Sequence, residues 1–403
     1  MKVLLCHNFY REPGGEDHSF ANEAALLAAR DVETVQFTLH SREAAAMSGP
    51  QIARKTIWNR DVYASLRALI ARERPTLMHC TNTFPLISPS AHSAARAERL
   101  PVVQALRNYR MLCANALLYR DGRACEECVG RSVPWPSVVH GCYRDSRSAS
   151  AVVATMLTVH RVRRTWARTV SMFYTPSEFA RRMFIAGGFA ADRLVVKPNF
   201  VRYEGPPGTG RGGYAVFVGR LAMEKGLDTL IEAWARLDLP VPLKLIGDGP
   251  LAGDVAAAAA RDPRIEWLGR RTPDDVLKLV GEATCLIMPS VSYETFGRTI
   301  IEAFAMGTPV IASNLGAMAE LVTPAQTGLL VPPRDSEALA QAVLRLVADD
   351  AGLARMRRAA RATFEEKYTP ARNFDLLMDI YQQVLGRPLA STAVPAIRQK
   401  GVA

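Results

Sequence analysis

The sequence has no apolar run of the roughly 18 to 20 residues that a helix needs to span a bilayer. Its first ten residues follow a strand pattern and have no signal-peptide cleavage context. No nucleic-acid recognition motif accompanies its basic residues. We therefore expect a cytoplasmic protein, and we place nucleic-acid binding last among its candidate functions.

The chain is too long for one ordinary core. At 403 residues, with 49% apolar and 22% charged residues, it has the composition of a folded protein of two or three domains. The formal net charge is +11. Residues 1–200 hold 27 Lys+Arg against 16 Asp+Glu, whereas residues 201–403 hold 23 of each. The basic half predicts a surface facing an anionic membrane, a phosphorylated lipid or nucleic acid, although an arginine-rich genome composition gives the same count.

The hydrophobic pattern predicts two tandem α/β domains, each a doubly wound sheet, with a cleft between them. Strand and helix patterns alternate in residues 1–200, and a Pro- and Gly-rich stretch at 197–213 predicts the interdomain linker. A second alternation fills 201–369, a final helix covers about 370–386, and 387–403 is expected to be a loose tail. In the first domain we expect strands near 33–38, 76–80, 101–105 and 170–174 and helices near 16–30, 58–73, 88–98, 150–168 and 177–186.

Two carboxylates eight positions apart, Glu294 and Glu302, bracket a strand-to-helix turn that contains Phe296, Gly297 and Arg298. Free N–H groups at a helix start favour an anion, and glycine lets the backbone approach it closely. The two glutamates can then bind hydroxyls on either side of a diphosphate. By spacing alone, two solvated glutamates are the plainer alternative.

Two cations, Arg220 and Lys225, follow the strand pattern that starts the second domain. At the carboxyl end of a parallel strand, a guanidinium and an ammonium can neutralise a departing diphosphate.

These two segments, E-x-F-G-x-x-x-x-E and G-R-x-x-x-x-K-G, resemble the signatures of the retaining GT-B glycosyltransferases of family 4. The resemblance implies that Glu294 contacts the donor sugar, Glu302 the nucleotide ribose, and Arg220 and Lys225 the donor phosphates. It also implies transfer of a hexose-like unit from a nucleoside diphosphate sugar to a hydroxyl acceptor, a lipid-linked or polysaccharide intermediate, without a catalytic metal. A final helix that crosses back to the first domain is part of the same resemblance.

Other donor-site residues rest on weaker matches. Gly14 and Gly15 resemble the family's GG turn, whose N–H faces the donor, and Gly316 is a candidate backbone contact near the sugar. Arg107 stands where the family carries a histidine. An arginine there can bind a sugar hydroxyl or screen phosphate charge, but it cannot act as a general base. A sugar-nucleotide epimerase, a phosphorolytic enzyme and a non-catalytic scaffold of a glycan assembly complex remain alternatives.

Four of the seven cysteines, Cys113, Cys125, Cys128 and Cys142, lie within 30 residues. Their spacing permits a structural zinc site, and buried or redox-active thiols are the plainer alternative. The predicted helix of residues 148–168 is apolar at its start and arginine-rich at its end. It is either a peripheral contact with an anionic membrane at its inner face or a core helix with a solvated basic end.

Overall fold

The computed structural model describes residues 1–12 and 14–386. The first domain contains a parallel sheet of six strands in the order β2-β1-β3-β4-β7-β8, and a small antiparallel hairpin, β5-β6, lies outside it. The strands are β1 Lys2–Phe9, β2 Glu33–His40, β3 Leu77–Cys80, β4 Val102–Ala105, β5 Tyr119–Arg120, β6 Arg123–Ala124, β7 Val170–Thr175 and β8 Leu194–Val196.

Helices cover both faces of this sheet. They are α1 Gly15–Ala28, α2 Gly49–Ile57, α3 Arg60–Glu73, α4 Ser90–Ala97, α5 Trp135–Val139, α6 Arg147–Val162, α7 Thr165–Thr169 and α8 Glu178–Ala186. Alternate residues of β1 belong to different cores, Leu4 and Cys6 to one and Val3 and Leu5 to the other, as the twofold period of a strand requires.

The second domain repeats the architecture with six parallel strands in the order β11-β10-β9-β12-β13-β14. Its strands are β9 Ala215–Val218, β10 Leu243–Ile246, β11 Ile265–Gly269, β12 Cys285–Met288, β13 Val310–Ser313 and β14 Gly328–Val331. Its helices are α9 Leu227–Arg236, α10 Ala252–Arg261, α11 Pro273–Glu282, α12 Arg298–Ala305, α13 Gly316–Leu321, α14 Ser336–Ala348 and α15 Asp350–Lys367. The predicted doubly wound sheets are thus confirmed in both halves.

The last described helix, α16 Pro370–Leu385, packs on the first domain. Its Leu377 and Tyr381 are fully buried in the core that α1 and β1 form, and the Tyr381 hydroxyl lies 2.8 Å from His79 Nδ1. The boundaries at residues 200 and 369 remain our working division of the chain. The predicted loose tail lies outside the described residues.

The helix predicted near 58–73 begins at Arg60, where the Asn59 side chain accepts the N–H groups of Asp61 and Val62 and caps it. One predicted helix of the first domain is wrong in extent. The predicted helix 150–168 is two helices, because Arg164 adopts a left-handed conformation (φ 52°) between α6 and α7. Short elements such as α5 and β5-β6 lie in a segment whose hydrophobic pattern was too weak to predict them. Within the described ranges, no helix has the length and apolarity needed to cross a membrane.

Candidate functional site between the two domains

The second sheet reverses its strand order at β9, which lies between β10 and β12. Ligands of doubly wound sheets bind beyond the carboxyl ends of the strands at such a reversal. Arg220 and Lys225 follow β9, and Glu294 follows β12, so adjacent strands deliver the cations and the carboxylate to one crevice. The sequence could predict each strand end, but the pairing of β9 with β12 belongs to the tertiary fold.

Glycines shape the two loops at this crevice. Gly226 ends the Lys225 turn with φ 67°, and an added Cβ would lie 2.1 Å from the carbonyl oxygen of Pro289. The β9 loop and the β12 loop therefore touch at a point where no side chain fits. Gly297 caps the start of α12 with φ 97°, a conformation that other residues adopt at a cost. Its N-terminal N–H groups and dipole face the crevice as expected for an anion site.

The charged side chains of the crevice are paired with one another. Lys225 Nζ lies 2.5 Å from Glu294 Oε1, and the Ser290 hydroxyl donates to the same carboxylate oxygen at 3.0 Å. Arg298 Nε lies 2.8 Å from Glu302 Oε1. Burial raises the pKa of Glu302, against the opposing charge of Arg298.

Arg220 differs from these residues. Its side chain is exposed, and within the described part of the chain it forms no ion pair with a carboxylate. The structure thus places a free guanidinium beside an internally neutralised Lys225–Glu294 pair. An anion that entered the crevice would meet Arg220 without displacing another partner.

Helix α1 of the first domain begins opposite α12. Gly14 is the N-cap of α1 and Gly15 its first residue. Partial burial and the charge of Arg298 lower the pKa of His18, so the first turn of α1 lies within electrostatic range of the first turn of α12. Each of the two helix N-termini favours a negative charge near it.

The loop that carries Glu294 also joins the two domains. The Thr295 hydroxyl donates to the Arg107 carbonyl at 2.8 Å, and the Ser177 hydroxyl donates to the Thr295 carbonyl at 2.7 Å. The Glu320 carboxylate accepts the N–H groups of Glu178 and Phe179 at 2.8 and 2.7 Å, at the start of α8. A displacement of the first domain would therefore be transmitted directly to Glu294.

Arg107 is placed differently from the sequence prediction. Its guanidinium does not extend freely into the cleft, because Nη2 lies 2.7 Å from the buried Glu23 and Nη1 donates to Asn199. Lys197 Nζ lies 2.5 Å from the same Glu23 oxygen, and Tyr174 donates to Glu23 at 3.1 Å. Burial alone would raise the pKa of Glu23, but the charges of Arg107 and Lys197 outweigh it and hold the pKa well below its usual range. Arg107 reaches the donor loop through its backbone carbonyl.

Phe296 and Gly316 also have positions that the motif did not indicate. Phe296 is 2% exposed and packs edge-on against Tyr368, with ring centroids 5.9 Å apart. It supports the turn from below as a core residue. Gly316 has φ 59° and lies against the rings of Phe179 and Tyr293, each 3.4 Å from an added Cβ. Gly316 thus belongs to the contact between the domains.

Sequence reasoning missed a cavity of the first domain that opens near the cleft. It contains about 490 Å³ of space free of protein atoms, open solvent at its mouth included. Glu16 and Asn108 lie on its wall, and Asn108 Nδ2 donates to Glu16 Oε2 at 2.7 Å. Burial raises the pKa of Glu16, against a hydrogen bond from the Tyr10 hydroxyl. The only sequence signal was that Glu16 follows the Gly14–Gly15 turn.

The four clustered cysteines do not assemble the predicted zinc site. Among residues 1–12 and 14–386, no three His, Cys, Asp or Glu side chains are grouped to hold a metal ion. Cys113 Sγ instead donates to Asn115 Oδ1 at 2.9 Å. Burial, together with the neighbouring thiols, raises the pKa of Cys128 to about 12 and that of Cys142 to about 11.

Comparison with known proteins places the sequence likeness in the second domain. Residues 212–349 match the family described as Glycosyl transferases group 1. A glycogen synthase from Mycobacterium tuberculosis is 37% identical over 153 residues, which are 36% of this chain and 36% of that protein. A 2-deoxystreptamine glucosyltransferase from Streptomyces kanamyceticus is 31% identical over 177 residues, 42% of this chain and 46% of that protein. The chain thus spans less than half the length of these relatives.

Comparison of structures covers both domains. Alr3699/HepE from Anabaena, solved in complex with UDP, superposes with a TM-score of 0.68 at 19% identity over 95% of this chain and 100% of that one. A sucrose-phosphate synthase from Thermosynechococcus elongatus superposes with a TM-score of 0.70 at 17% identity over 96% and 99%. At such identities the likeness concerns the fold. The chain has the GT-B fold, and its second domain carries the sequence match to Glycosyl transferases group 1.

Proposed function

We propose that the chain is a retaining glycosyltransferase of family 4 that moves a sugar from a nucleoside diphosphate sugar to a hydroxyl acceptor. The observation that carries the proposal is the crevice at the β9/β12 strand reversal. There the free guanidinium of Arg220, the Lys225–Glu294 pair and the start of α12 lie together, and the charge of Arg298 acts on His18 in the first turn of α1. All of these residues except those of α1 lie in the segment that matches the glycosyltransferase family.

The electrostatics of the crevice suit a departing diphosphate. Arg220 binds the phosphates first, because it has no carboxylate to leave within the described structure. Lys225 then exchanges Glu294 for a phosphate oxygen, which frees the Glu294 carboxylate to accept sugar hydroxyls. Charge that develops on the leaving group is stabilised by donors already in place, the largest single contribution in many enzymes. Glu302, held by Arg298, is assigned to the ribose by resemblance to the family.

The nucleotide is supported by two of the structural comparisons. Alr3699/HepE was solved with UDP and with UDP-glucose. We propose a nucleoside diphosphate sugar as the donor of this chain and do not assign its base. Retention of the anomeric configuration rests on the family resemblance.

The acceptor is assigned to the first-domain cavity. That sheet reverses its order between β1 and β3, and the cavity lies beyond these strand ends, with Glu16 and Asn82 on its wall. Its carboxylate and amide groups suit sugar hydroxyls, whereas Met111 and Leu157 give it an apolar part. A lipid-linked or polysaccharide intermediate has both features. The enzyme would meet such an acceptor at the periphery of a membrane.

The test begins with a thermal-shift panel of UDP, GDP and ADP and their common sugars. Ligand at about 100 times its Kd adds about 2.7 kcal/mol of stability to the protein. The shift should be base-selective and should be lost in Arg220→Ala/Lys225→Ala. The matched control Arg345→Ala/Lys367→Ala, which removes one exposed arginine and one exposed lysine from α14 and α15, should keep it.

Product analysis completes the test. NMR of the glycoside formed from the selected donor should show the donor's anomeric configuration, and Glu294→Gln should abolish transfer. If the well-folded protein shows no thermal shift with any of the nucleotides, the glycosyltransferase proposal is refuted and a non-catalytic scaffold is favoured. An inverted product would refute the retaining assignment alone.

A further inference from the structure

A second basic depression lies in the first domain, away from the cleft. Its wall contains three arginines, Arg96, Arg163 and Arg168, and three hydroxyl residues, Ser93, Thr165 and Thr169. We call this set the arginine pocket. The arginines come from three different helix ends, those of α4, α6 and α7. Chain segments far apart in sequence thus converge on one concave, positively charged surface.

The guanidinium groups of the arginine pocket have no protein partner. Across the described ranges, none of the three lies in an ion pair or donates a hydrogen bond to a carbonyl oxygen. Other arginines of this domain are engaged: Arg161 donates to the carbonyls of Arg131 and Met111, and Arg193 donates to that of Ala167. Arg67 pairs with Glu98 at 2.6 Å.

A structural explanation would be that each arginine offsets the negative end of its own helix dipole. That explanation predicts guanidinium groups folded back onto the last carbonyls of α4, α6 and α7. No such hydrogen bond occurs within the described structure, and the side chains of Arg96, Arg163 and Arg168 are exposed. The unused donors instead point to an external acceptor.

The topology separates the pocket from the proposed transferase site. Arg96 precedes β4 by a few residues, and Arg168 directly precedes β7, so the pocket lies at the amino edge of the sheet. The interdomain cleft lies at the carboxyl edge. Strands β4 and β7 are four and six residues long, which separates the two edges by at least about 13 Å at about 3.3 Å per residue. One ligand in the donor crevice cannot also fill the arginine pocket.

We infer that the arginine pocket binds a phosphate-bearing ligand. Guanidinium groups present paired N–H donors that match phosphate oxygens. Thr165 is buried, and its hydroxyl lies 2.9 Å from His160 Nδ1, while the Thr169 hydroxyl donates to the Thr165 carbonyl at 2.7 Å. These contacts fix α7 and its arginine relative to α6. The source of the phosphate is either a lipid headgroup at a membrane surface or a soluble phosphate compound.

The experiment uses the full chain and two probes. Binding of sodium pyrophosphate is measured by calorimetry, and co-sedimentation is measured with phosphatidylcholine vesicles that contain or lack phosphatidylglycerol. The variant is Arg96→Ala/Arg163→Ala/Arg168→Ala. The matched control is Arg42→Ala/Arg60→Ala/Arg202→Ala, which removes the same charge from exposed arginines outside the pocket.

Each guanidinium should contribute about tenfold to affinity, since hydrogen bonds to charged groups are the strong class. The proposed donor crevice also binds a diphosphate, so the wild type should show two pyrophosphate sites. Loss of one site in the pocket variant but not in the control supports a soluble ligand. Loss of sedimentation with phosphatidylglycerol vesicles alone supports a headgroup. If both variants lose binding equally, or if the wild type binds neither probe, the arginine pocket is not a phosphate site.

A second measurement avoids dependence on the folding of the triple variant. Phenylglyoxal modification of the wild-type protein, followed by peptide mass spectrometry, gives the reactivity of each arginine. Pyrophosphate or anionic vesicles should protect Arg96, Arg163 and Arg168 and leave Arg42 and Arg60 reactive. If the probes leave the phenylglyoxal reactivity of these three arginines unchanged, the inference is overturned.

Discussion

Replacement of Glu23 by glutamine tests the buried ion network that supports the cleft. Glu23 is 2% exposed, and its carboxylate lies 2.7 Å from Arg107 Nη2 and 2.5 Å from Lys197 Nζ. Glutamine fills the same volume but removes the only negative charge among these contacts. Two buried cations would then face a neutral amide, and loss of one partner from a buried ion pair costs about 3 to 5 kcal/mol.

Urea unfolding at pH 7 measures the change in the free energy of unfolding. We expect Glu23→Gln to lose about 3 to 5 kcal/mol, a large part of the stability of an ordinary domain. Adding Lys197→Met should recover part of the loss, so the double variant should be more stable than the sum of the single changes implies. That coupling separates charge imbalance from a packing defect.

The same substitution at Glu98 is the control. Glu98 pairs with Arg67 at 2.6 Å on the surface, where solvent screens the pair. Glu98→Gln should therefore leave the urea midpoint almost unchanged. If Glu23→Gln costs less than about 1 kcal/mol, or if Lys197→Met adds its full cost on top, the network does not act as an ionic unit and the reasoning fails.

Three further predictions concern the cleft and the fold. Gly226→Ala should displace the Lys225 loop, because residue 226 has φ 67° and its Cβ would lie 2.1 Å from the carbonyl oxygen of Pro289. Nucleotide binding should therefore weaken at least about tenfold. The control Gly253→Ala, whose Cβ meets nothing within 4 Å, should bind nucleotide normally. Glu320→Gln should weaken the charge-assisted cap on α8 and increase the radius of gyration in small-angle scattering, while Glu365→Gln, at an exposed site, should not. Burial lowers the pKa of His79 and of His92 from 6.5 to about 4, so for each histidine the free energy of unfolding falls by up to about 3 kcal/mol as the pH falls from 6.5 to 4. Urea unfolding at several pH values should show that His79→Gln loses less stability over this range than the wild type. An equal loss of stability in both proteins would contradict the assignment.

The sequence by itself determined the two parallel sheets, the strand positions predicted in the first domain and the location of the Arg220, Lys225, Glu294 and Glu302 motifs. These features depend on local patterns, namely apolar runs of strand length, glycine turns and helix caps, which a linear reading contains. It also indicated that the second domain carries the stronger family likeness.

Tertiary structure decided the features that depend on residues distant in sequence. Arg107 was assigned to the donor by its position after β4, yet Glu23 and Lys197, 84 and 90 residues away on either side, hold its side chain in the core. The cysteine spacing permitted a zinc site, but the described residues form no metal-holding group, and Cys113 donates to Asn115 instead. The arginine pocket exists only because three helix ends meet at one sheet edge. Local sequence fixes what each residue can do, whereas the charges and surfaces that surround it are set when the chain closes on itself.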